Sequence, residues 1–309
     1  MEGPVYRGTQ MKIHPAWSAH TFARRVNGAL KWGVAVLCAL LLGNAVASPA
    51  VTSVAEPVNL EYVNTWIAEA KGCENIRSYA RPNIIRFSVE AVLACQALKL
   101  GGYDGEYKLV PAPNYTRAML MAATGEATMP TETLWTEDLD EKKFYATKPL
   151  LADGDIVFGA FVAADKLKSY NVKNQNDLKK LKAVTSRNWV KDWATLTGMG
   201  IDTLDANSLE AIYKMIGANR AQFTLWSFNA LPSFEVTVES VTLAPLPGIK
   251  ILMHGERRLA VSKAAPNGKE VYKALNKGLE ILRANGTIAR AWRESAYINK
   301  RTESWTALN

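Results

Sequence analysis

Short apolar runs alternate with amphipathic segments along residues 48–309. Runs rich in apolar and β-branched residues predict strands, and apolar residues that recur every three or four positions predict helices. The predicted strands are 84–87, 108–110, 128–129, 156–162, 183–185, 201–204, 222–226, 249–253 and 258–262. Strands that alternate with helices indicate open α/β sheets, and this length suits two lobes.

The helices are predicted from periodicity and from their capping residues. Asn114 begins a helix that Gly125 ends, and Asn207 with Glu210 forms a capping box for a helix that Gly217 closes. The full set is 60–70, 89–100, 114–124, 176–181, 189–197, 207–217, 269–285 and 287–294.

The N-terminal residues have the pattern of an export signal. Basic residues precede an apolar run at 33–47, which ends in Ala-Val-Ala before Ser48, and translation begins at Met1 or Met11. An uncleaved anchor is the alternative, but the run is shorter than the roughly 20 residues of a spanning helix. We expect residues 1–47 to be a cleaved signal peptide, and the mature protein to be periplasmic without stable membrane insertion.

Charge and cysteine content add two expectations. Half of the net charge of +8 lies in residues 1–47, and the other basic residues are scattered, so we expect no nucleic-acid partner. Beyond residue 47 only Cys73 and Cys95 remain. In an oxidising compartment the simplest outcome is a disulfide between them, and two buried free thiols are the alternative.

Catalytic and metal-binding motifs are absent from the sequence beyond residue 47. His254 is the only histidine there, no His-Glu-x-x-His or Cys-x-x-Cys motif occurs, and no complete glycine-rich phosphate loop exists. We therefore expect no catalytic residues, no metal, no cofactor and no enzymatic activity. An acidic cluster leaves an exported enzyme as a minor alternative, with a solvated loop as the simpler interpretation: Glu132, Glu137, Asp138, Asp140 and Glu141.

Four segments in order resemble one known family. Residues 115–127 with 148–151 are similar to an "arginine, helix, Gly-Glu-Ala, then Ser-x-Pro-Leu" region, and 176–184 to the entry into a second lobe. Residues 215–223 resemble a Gly-Arg-x-Asp strand entry, and 275–288 resemble a closing Asn-Lys-Gly-Leu motif. The family is that of periplasmic solute-binding proteins of family 3, which have the type II fold and serve ABC transporters.

This resemblance implies a two-lobe α/β structure with a central mixed sheet in each lobe. The hinge strands are expected at 155–161 and 257–262, with lobe 1 at 48–156 and 258–309 and lobe 2 at 157–257. It also implies a monomer that closes on a small polar solute, which a membrane ABC permease then receives. A sensor of the same fold that partners a membrane receptor is the alternative.

The sequence departs from the family at its solute contacts. The family's Thr-x-x-Arg arginine, which holds an α-carboxylate, is absent from 135–141, and Gln222 stands where an aspartate often meets an ammonium group. Loops at the carboxyl ends of strands supply the candidate ligand-binding residues. These are Tyr115, Arg117, Thr131, Glu132, Thr133 and Trp135 in lobe 1, and Ser186, Arg187, Asn188, Trp189 and Trp226 in lobe 2.

Overall fold

The computed structural model describes residues 48–309. The predicted signal peptide lies outside these residues. Within the described part, no helix combines the length and the apolar character needed to cross a membrane.

Eight α-helices of the described residues account for all the predicted helices. In chain order they are α1 Pro57–Glu69, α2 Arg86–Leu100, α3 Tyr115–Thr124, α4 Gln175–Leu178, α5 Val190–Gly198, α6 Leu209–Gly217, α7 Gly268–Ala284 and α8 Thr287–Glu294.

Fourteen strands are found among the described residues. They are β1 Val51–Ala55, β2 Tyr107–Pro111, β3 Met129–Pro130, β4 Leu134–Trp135, β5 Phe144–Leu151, β6 Val157–Ala163, β7 Ala183–Thr185, β8 Thr203–Asp205, β9 Phe223–Ser227, β10 Val236–Val238, β11 Val241–Pro245, β12 Ile249–Leu252, β13 Arg257–Ser262 and β14 Thr306–Ala307.

Two small sheets and one large sheet contain these strands. The first small sheet is parallel, in the order β2-β1-β3, and the second is antiparallel, in the order β4-β13-β5. The large sheet has eight strands: β10-β11-β6-β9-β7-β8 form one path, and β12 joins it through β6 and carries β14. One mixed sheet was expected in the first lobe, whereas its strands are divided between the two small sheets. The two small sheets contact each other where the Ser262 N–H donates to the Thr128 carbonyl at 2.8 Å.

The chain passes between the small sheets and the large sheet through two crossing segments, residues 152–156 and 253–256. They touch each other, because the Met253 N–H donates to the Ile156 carbonyl at 2.9 Å and the Gly255 N–H to the Asp153 carboxylate at 2.9 Å. The predicted hinge strands correspond to β6 and β13, which follow these segments and lie in different sheets.

The C-terminal residues make a third passage onto the large sheet. After α8, β14 pairs in parallel with β12, and the Trp305 ring lies edge-on to Phe228 at 5.3 Å. The Arg301 guanidinium donates to the Leu231 carbonyl at 2.8 Å. These last residues therefore contact strands and loops of the expected second lobe, whereas the resemblance implies that 258–309 belong to the first lobe.

The largest core cluster holds α2 and α7 together. Gly278 permits their close contact, because a Cβ built there would meet the Ala97 carbonyl oxygen at 1.8 Å. A disulfide joins Cys73 to Cys95 of α2, with their Cα atoms 6.1 Å apart. It ties the segment after α1 to the core helix.

Two local predictions were wrong. Residues 84–87 are not a strand, because α2 begins at Arg86 and Phe87 is a buried residue of the helix. No local signal marks this start, since the cap residue Ile85 makes no side-chain cap hydrogen bond. Helix α6 is capped by Ser208 rather than Asn207, and the Ser208 hydroxyl accepts from the Ala211 N–H at 3.1 Å.

Candidate functional site

A cavity of about 630 Å³ lies between the small sheets and the large sheet. Its first wall comes from α2, α3, β4, β13 and nearby loops, and consists of Arg86, Tyr115, Thr116, Glu132, Leu134, Trp135, Asp138, Arg257 and Tyr297. The opposite wall comes from β6, β9 and the start of α5, and consists of Phe158, Asn188, Trp189, Val190, Lys191, Asp192, Leu225, Trp226 and Ser227.

The candidate ligand-binding residues divide into two groups by position. The cavity brings together Tyr115, Glu132, Trp135, Asn188, Trp189 and Trp226. The other candidates lie outside its lining: Arg117, Thr131, Thr133, Ser186 and Arg187.

The two outlying arginines are exposed and paired with acids. Arg117 lies 2.7 Å from the Glu126 carboxylate. Arg187 lies 3.6 Å from the Asp205 carboxylate, and its guanidinium is 4.1 Å from the centroid of the Trp193 ring.

The three hydroxyl candidates outside the lining are buried and hydrogen-bonded within the protein. Thr131 and the Ser53 hydroxyl are 2.8 Å apart, and the Ser186 hydroxyl accepts from the Asn188 N–H at 3.2 Å. Thr133 supports the cavity wall from behind: its hydroxyl donates to the buried Glu90 carboxylate at 2.5 Å.

Arg86, in the first turn of α2, connects two acids. Its guanidinium donates to both oxygens of Glu90, at 2.7 and 2.6 Å, and to the Glu132 carboxylate at 2.7 Å. Burial lowers the pKa of a guanidinium, but these two carboxylates outweigh it and hold the pKa of Arg86 above its ordinary value. Arg86 is therefore fully paired within the protein, with two carboxylates to one guanidinium.

Arg257, at the start of β13, is held by neutral groups. Its Nε donates to the Thr133 hydroxyl at 2.9 Å, its Nη2 donates to the Thr133 carbonyl, and its guanidinium lies 4.8 Å from the centroid of the Trp135 ring. No carboxylate of the described residues lies within ion-pair distance of it. Burial, and then the charge of Arg86, lower the pKa of Arg257.

Two carboxylates of the cavity are likewise without a cation at ion-pair distance among residues 48–309. Asp192 lies in the first turn of α5, and burial raises its pKa to about 7. Asp138 is exposed at the rim, where burial and then the neighbouring Glu137 charge raise its pKa. Lys191 differs, since its ammonium lies 3.1 Å from the Glu137 carboxylate.

Aromatic rings form much of the remaining surface. Trp189 and Trp226 have their ring centroids 6.2 Å apart, and Tyr213 supports Trp226 edge-on at 6.5 Å. Between the two walls, the Lys191 ammonium lies 5.1 Å from the centroid of the Trp135 ring. The cavity therefore combines apolar faces with a few charged groups, which is typical of small-molecule sites.

Residues of the acidic cluster and His254 have separate partners in the described chain. Glu132 pairs with Arg86, and Asp140 is an exposed partner of Lys143 at 3.3 Å. His254 lies on a crossing segment, 3.3 Å from Asp153. Among the described residues no group of three or more His, Cys, Asp or Glu side chains is placed to hold a metal ion.

Sequence reasoning missed the charged residues Arg86, Arg257 and Asp192. Arg86 was placed in a predicted strand, and Arg257 was assigned to the hinge. Asp192 lies inside a predicted helix, three positions after Trp189, and only the packing of α5 against the cavity distinguishes it from a solvated helix residue.

Comparison of structures defines the class: the chain has the type II periplasmic binding protein fold. The probable amino-acid ABC transporter extracellular-binding protein YtmK from Bacillus subtilis matches with a TM-score of 0.50 and 13% identity, over 67% of this chain and 87% of that one. No protein-family model matches the sequence, and neither does any curated protein sequence.

Two further structures are similar at lower scores. An amino acid ABC transporter substrate-binding protein from Streptococcus pneumoniae, bound to L-arginine, matches with a TM-score of 0.48 and 14% identity, over 71% of this chain and 84% of that one. The GluR0 ligand-binding core from Nostoc punctiforme, in complex with L-glutamate, matches with a TM-score of 0.46 and 15% identity, over 80% and 98%. These structures are of binding proteins and a binding domain.

Proposed function

We propose that this protein is an exported solute-binding protein of an ABC transporter. It is secreted through the cleaved signal peptide 1–47, acts in the periplasm as a monomer without enzymatic activity, and captures a small polar solute. The observation that carries the proposal is the cavity whose walls come from both sides of the two crossing segments.

The cavity suits ligand-driven closure. Its walls belong to the proposed lobes, 48–156 with 258–309 and 157–257, although β14 at the C-terminus pairs with β12 of the second lobe. A solute that touches both walls favours the closed arrangement by its differential affinity. The crossing segments, joined by the Met253 N–H to Ile156 carbonyl hydrogen bond, are the proposed hinge. A membrane permease then recognises the closed form and receives the solute.

The charges of the cavity indicate the kind of solute. Arg257 supplies a guanidinium that no carboxylate of the described residues neutralises, and it offers a substitute for the arginine missing from 135–141. Asp138 and Asp192 provide acceptors, and Trp189 with Trp226 provides an apolar surface. We propose a small polar solute that carries at least one charged group.

A thermal-shift screen of the mature protein tests this function. The protein is first partially unfolded and refolded to remove bound solute, and then mixed with amino acids, amines, organic acids, polyamines and sugars. A true ligand at about 100 times its dissociation constant adds roughly 2.7 kcal/mol of stability. A shift confined to one chemical class supports solute binding, and the absence of any shift across all classes contradicts it.

A further inference from the structure

Asp192 is a carboxylate that faces the cavity without a partner in the described chain. It lies on the first turn of α5, and its side chain lines the cavity. No hydrogen bond from another described residue reaches its oxygens, and no cation of residues 48–309 lies within 4.0 Å of them. A partly buried carboxylate in this position takes a proton, or accepts hydrogen bonds from water or from a ligand.

The charged and titratable groups that surround Asp192 come from several elements. From β13, Arg257 favours the ionised form of Asp192 through its charge, at a distance too long for an ion pair. Tyr297, which follows α8, also lines the cavity, and burial raises its pKa, so it stays neutral. The other charged groups of the cavity are Lys191 on α5, Arg86 on α2, and Glu132 and Asp138 in the loops around β4.

Most of these charges have close partners of the opposite sign. Lys191 pairs with Glu137, and Arg86 pairs with both Glu90 and Glu132. The charges left without close partners are the guanidinium of Arg257 and the carboxylates of Asp138 and Asp192. These carboxylates outnumber the guanidinium, so a positively charged ligand group complements the cavity.

We propose that Asp192 receives a positively charged N–H donor of the solute, and that binding of this group drives ionisation of the carboxyl, so that any proton it holds is released to the solvent. The donor is an ammonium, amidinium or guanidinium group, since these combine a charge with N–H bonds for a carboxylate. The proposal rests on the proposed function, because it names the solute's chemistry at the same cavity.

Proton release has a definite pH dependence. With a pKa of about 7, Asp192 in the empty cavity is half protonated at pH 7, so binding of a cation at this pH releases about half a proton. Below pH 7 the cation must displace a whole proton, and its affinity falls by up to about tenfold per pH unit. Above pH 8 the affinity reaches a plateau.

The experiment is calorimetric titration with three cations: benzamidine, agmatine and L-arginine. Benzamide and L-citrulline, which have similar shapes but lack the amidinium or guanidinium charge, are the neutral counterparts. Each titration is run from pH 5.5 to 8.5 in two buffers with different ionisation enthalpies, because the difference in measured heat counts the protons released.

Three variants separate Asp192 from the rest of the cavity. Asp192→Asn is expected to bind the cation weakly at every pH, with the affinity that the wild type shows at pH 5.5. It is also expected to release no proton. Asp192→Glu keeps the carboxyl and is expected to keep the proton release. Asp138→Asn, which removes the rim carboxylate, is the matched control and is also expected to keep the proton release.

The proposal is overturned if the cations bind with the same affinity from pH 5.5 to 8.5, or if Asp192→Asn releases as many protons as the wild type. Binding of solutes that carry no positive group, with none of the three cations bound, also overturns it while leaving the proposed function intact. Absence of binding by every class of solute contradicts both.

Discussion

Charged side chains around the cavity differ in how they are neutralised. Arg86 donates to the buried Glu90 and to Glu132, whereas Arg257 is held by Thr133 and Trp135, which carry no charge. In the first arrangement, carboxylates of the protein itself pair with the guanidinium. The second leaves a guanidinium available to a solute, because a neutral partner does not offset its charge.

The ion pair of Arg86 with Glu90 is predicted to be essential for stability. Arg86→Met leaves the Glu90 carboxylate buried without a cation, and we expect it to lower the free energy of unfolding by about 3–5 kcal/mol. Arg86→Met combined with Glu90→Met is expected to recover much of this loss. Urea unfolding measures both.

The control for this prediction is Arg117→Met. The Arg117–Glu126 pair is exposed on both sides, so its removal is expected to change stability by no more than about 1 kcal/mol. Equal losses in Arg86→Met and Arg117→Met would contradict the prediction.

Asp192 is predicted to make stability depend on pH. Its folded-state pKa of about 7 lies above the ordinary value of 3.8. At a pH between these two pKa values, the folded state therefore holds a proton that the unfolded state has lost. The contribution of this carboxyl is therefore favourable at low pH and declines as pH rises toward 7. The Asp192→Asn variant has no such loss, because its amide does not ionise.

Thermal unfolding of the wild type and Asp192→Asn from pH 4 to 8 tests this sign. We expect similar Tm values at pH 4 and a higher Tm for the variant at pH 7 and 8, by about 2–4 °C for each 1 kcal/mol of difference. A Tm advantage for the wild type at pH 8 would be the contrary result.

At the scale of elements, the disulfide links the segment after α1 to α2. Cys73 belongs to a short 3-10 helix, Cys95 lies in α2, and the two are 22 positions apart. In the unfolded chain this bond restricts a loop that is otherwise free. It therefore lowers the conformational entropy of the unfolded state and stabilises the folded state. The bond therefore supports the helix on which Arg86 is placed.

Removal of the disulfide is predicted to lower stability by about 3 kcal/mol, the chain-entropy value for a loop of this length. Guanidinium unfolding of the wild type and of the Cys73→Ala, Cys95→Ala double variant measures the difference. Intact-mass measurement checks that the bond is formed. Thiol alkylation should leave the mass unchanged before reduction and should increase it after reduction. No change in stability on its removal would contradict the prediction.

The elements also show what the sequence could predict. Helix α3 follows from its local signals, because the Asn114 side chain accepts from the Arg117 N–H at 2.9 Å and Gly125 ends the helix with a positive φ of 81°. Strand β1 was not predicted, although it is central in its sheet, because its pairing with β2 and β3 is non-local. The start of α2 was missed for lack of a side-chain cap.

Residues of the cavity could likewise be predicted only where a local sequence signal marks them. Tyr115 and Trp189, which we proposed because they stand at helix starts, line the cavity. Arg257 and Asp192 were missed because only tertiary packing brings β13 and α5 to one cavity. Arg187 has the residue type expected of an anion site, but its side chain is directed to Asp205 and Trp193.

At the scale of the whole molecule, the account predicts that solute binding brings the lobes together. The cavity lies between the sheets that the crossing segments connect, so closure about these segments makes the protein more compact. Small-angle X-ray scattering of the solute-free and solute-saturated protein is expected to show a smaller radius of gyration with solute. An unchanged radius would contradict closure.

The most direct test of the central claim is a calorimetric titration of the solute identified by the screen against three proteins: the wild type, Trp226→Leu and Arg187→Ala. Trp226 lines the cavity and Arg187 does not. The account predicts one solute per wild-type molecule, roughly tenfold weaker binding to Trp226→Leu, about 1.4 kcal/mol, and unchanged binding to Arg187→Ala. Unchanged binding to Trp226→Leu together with lost binding to Arg187→Ala would contradict it.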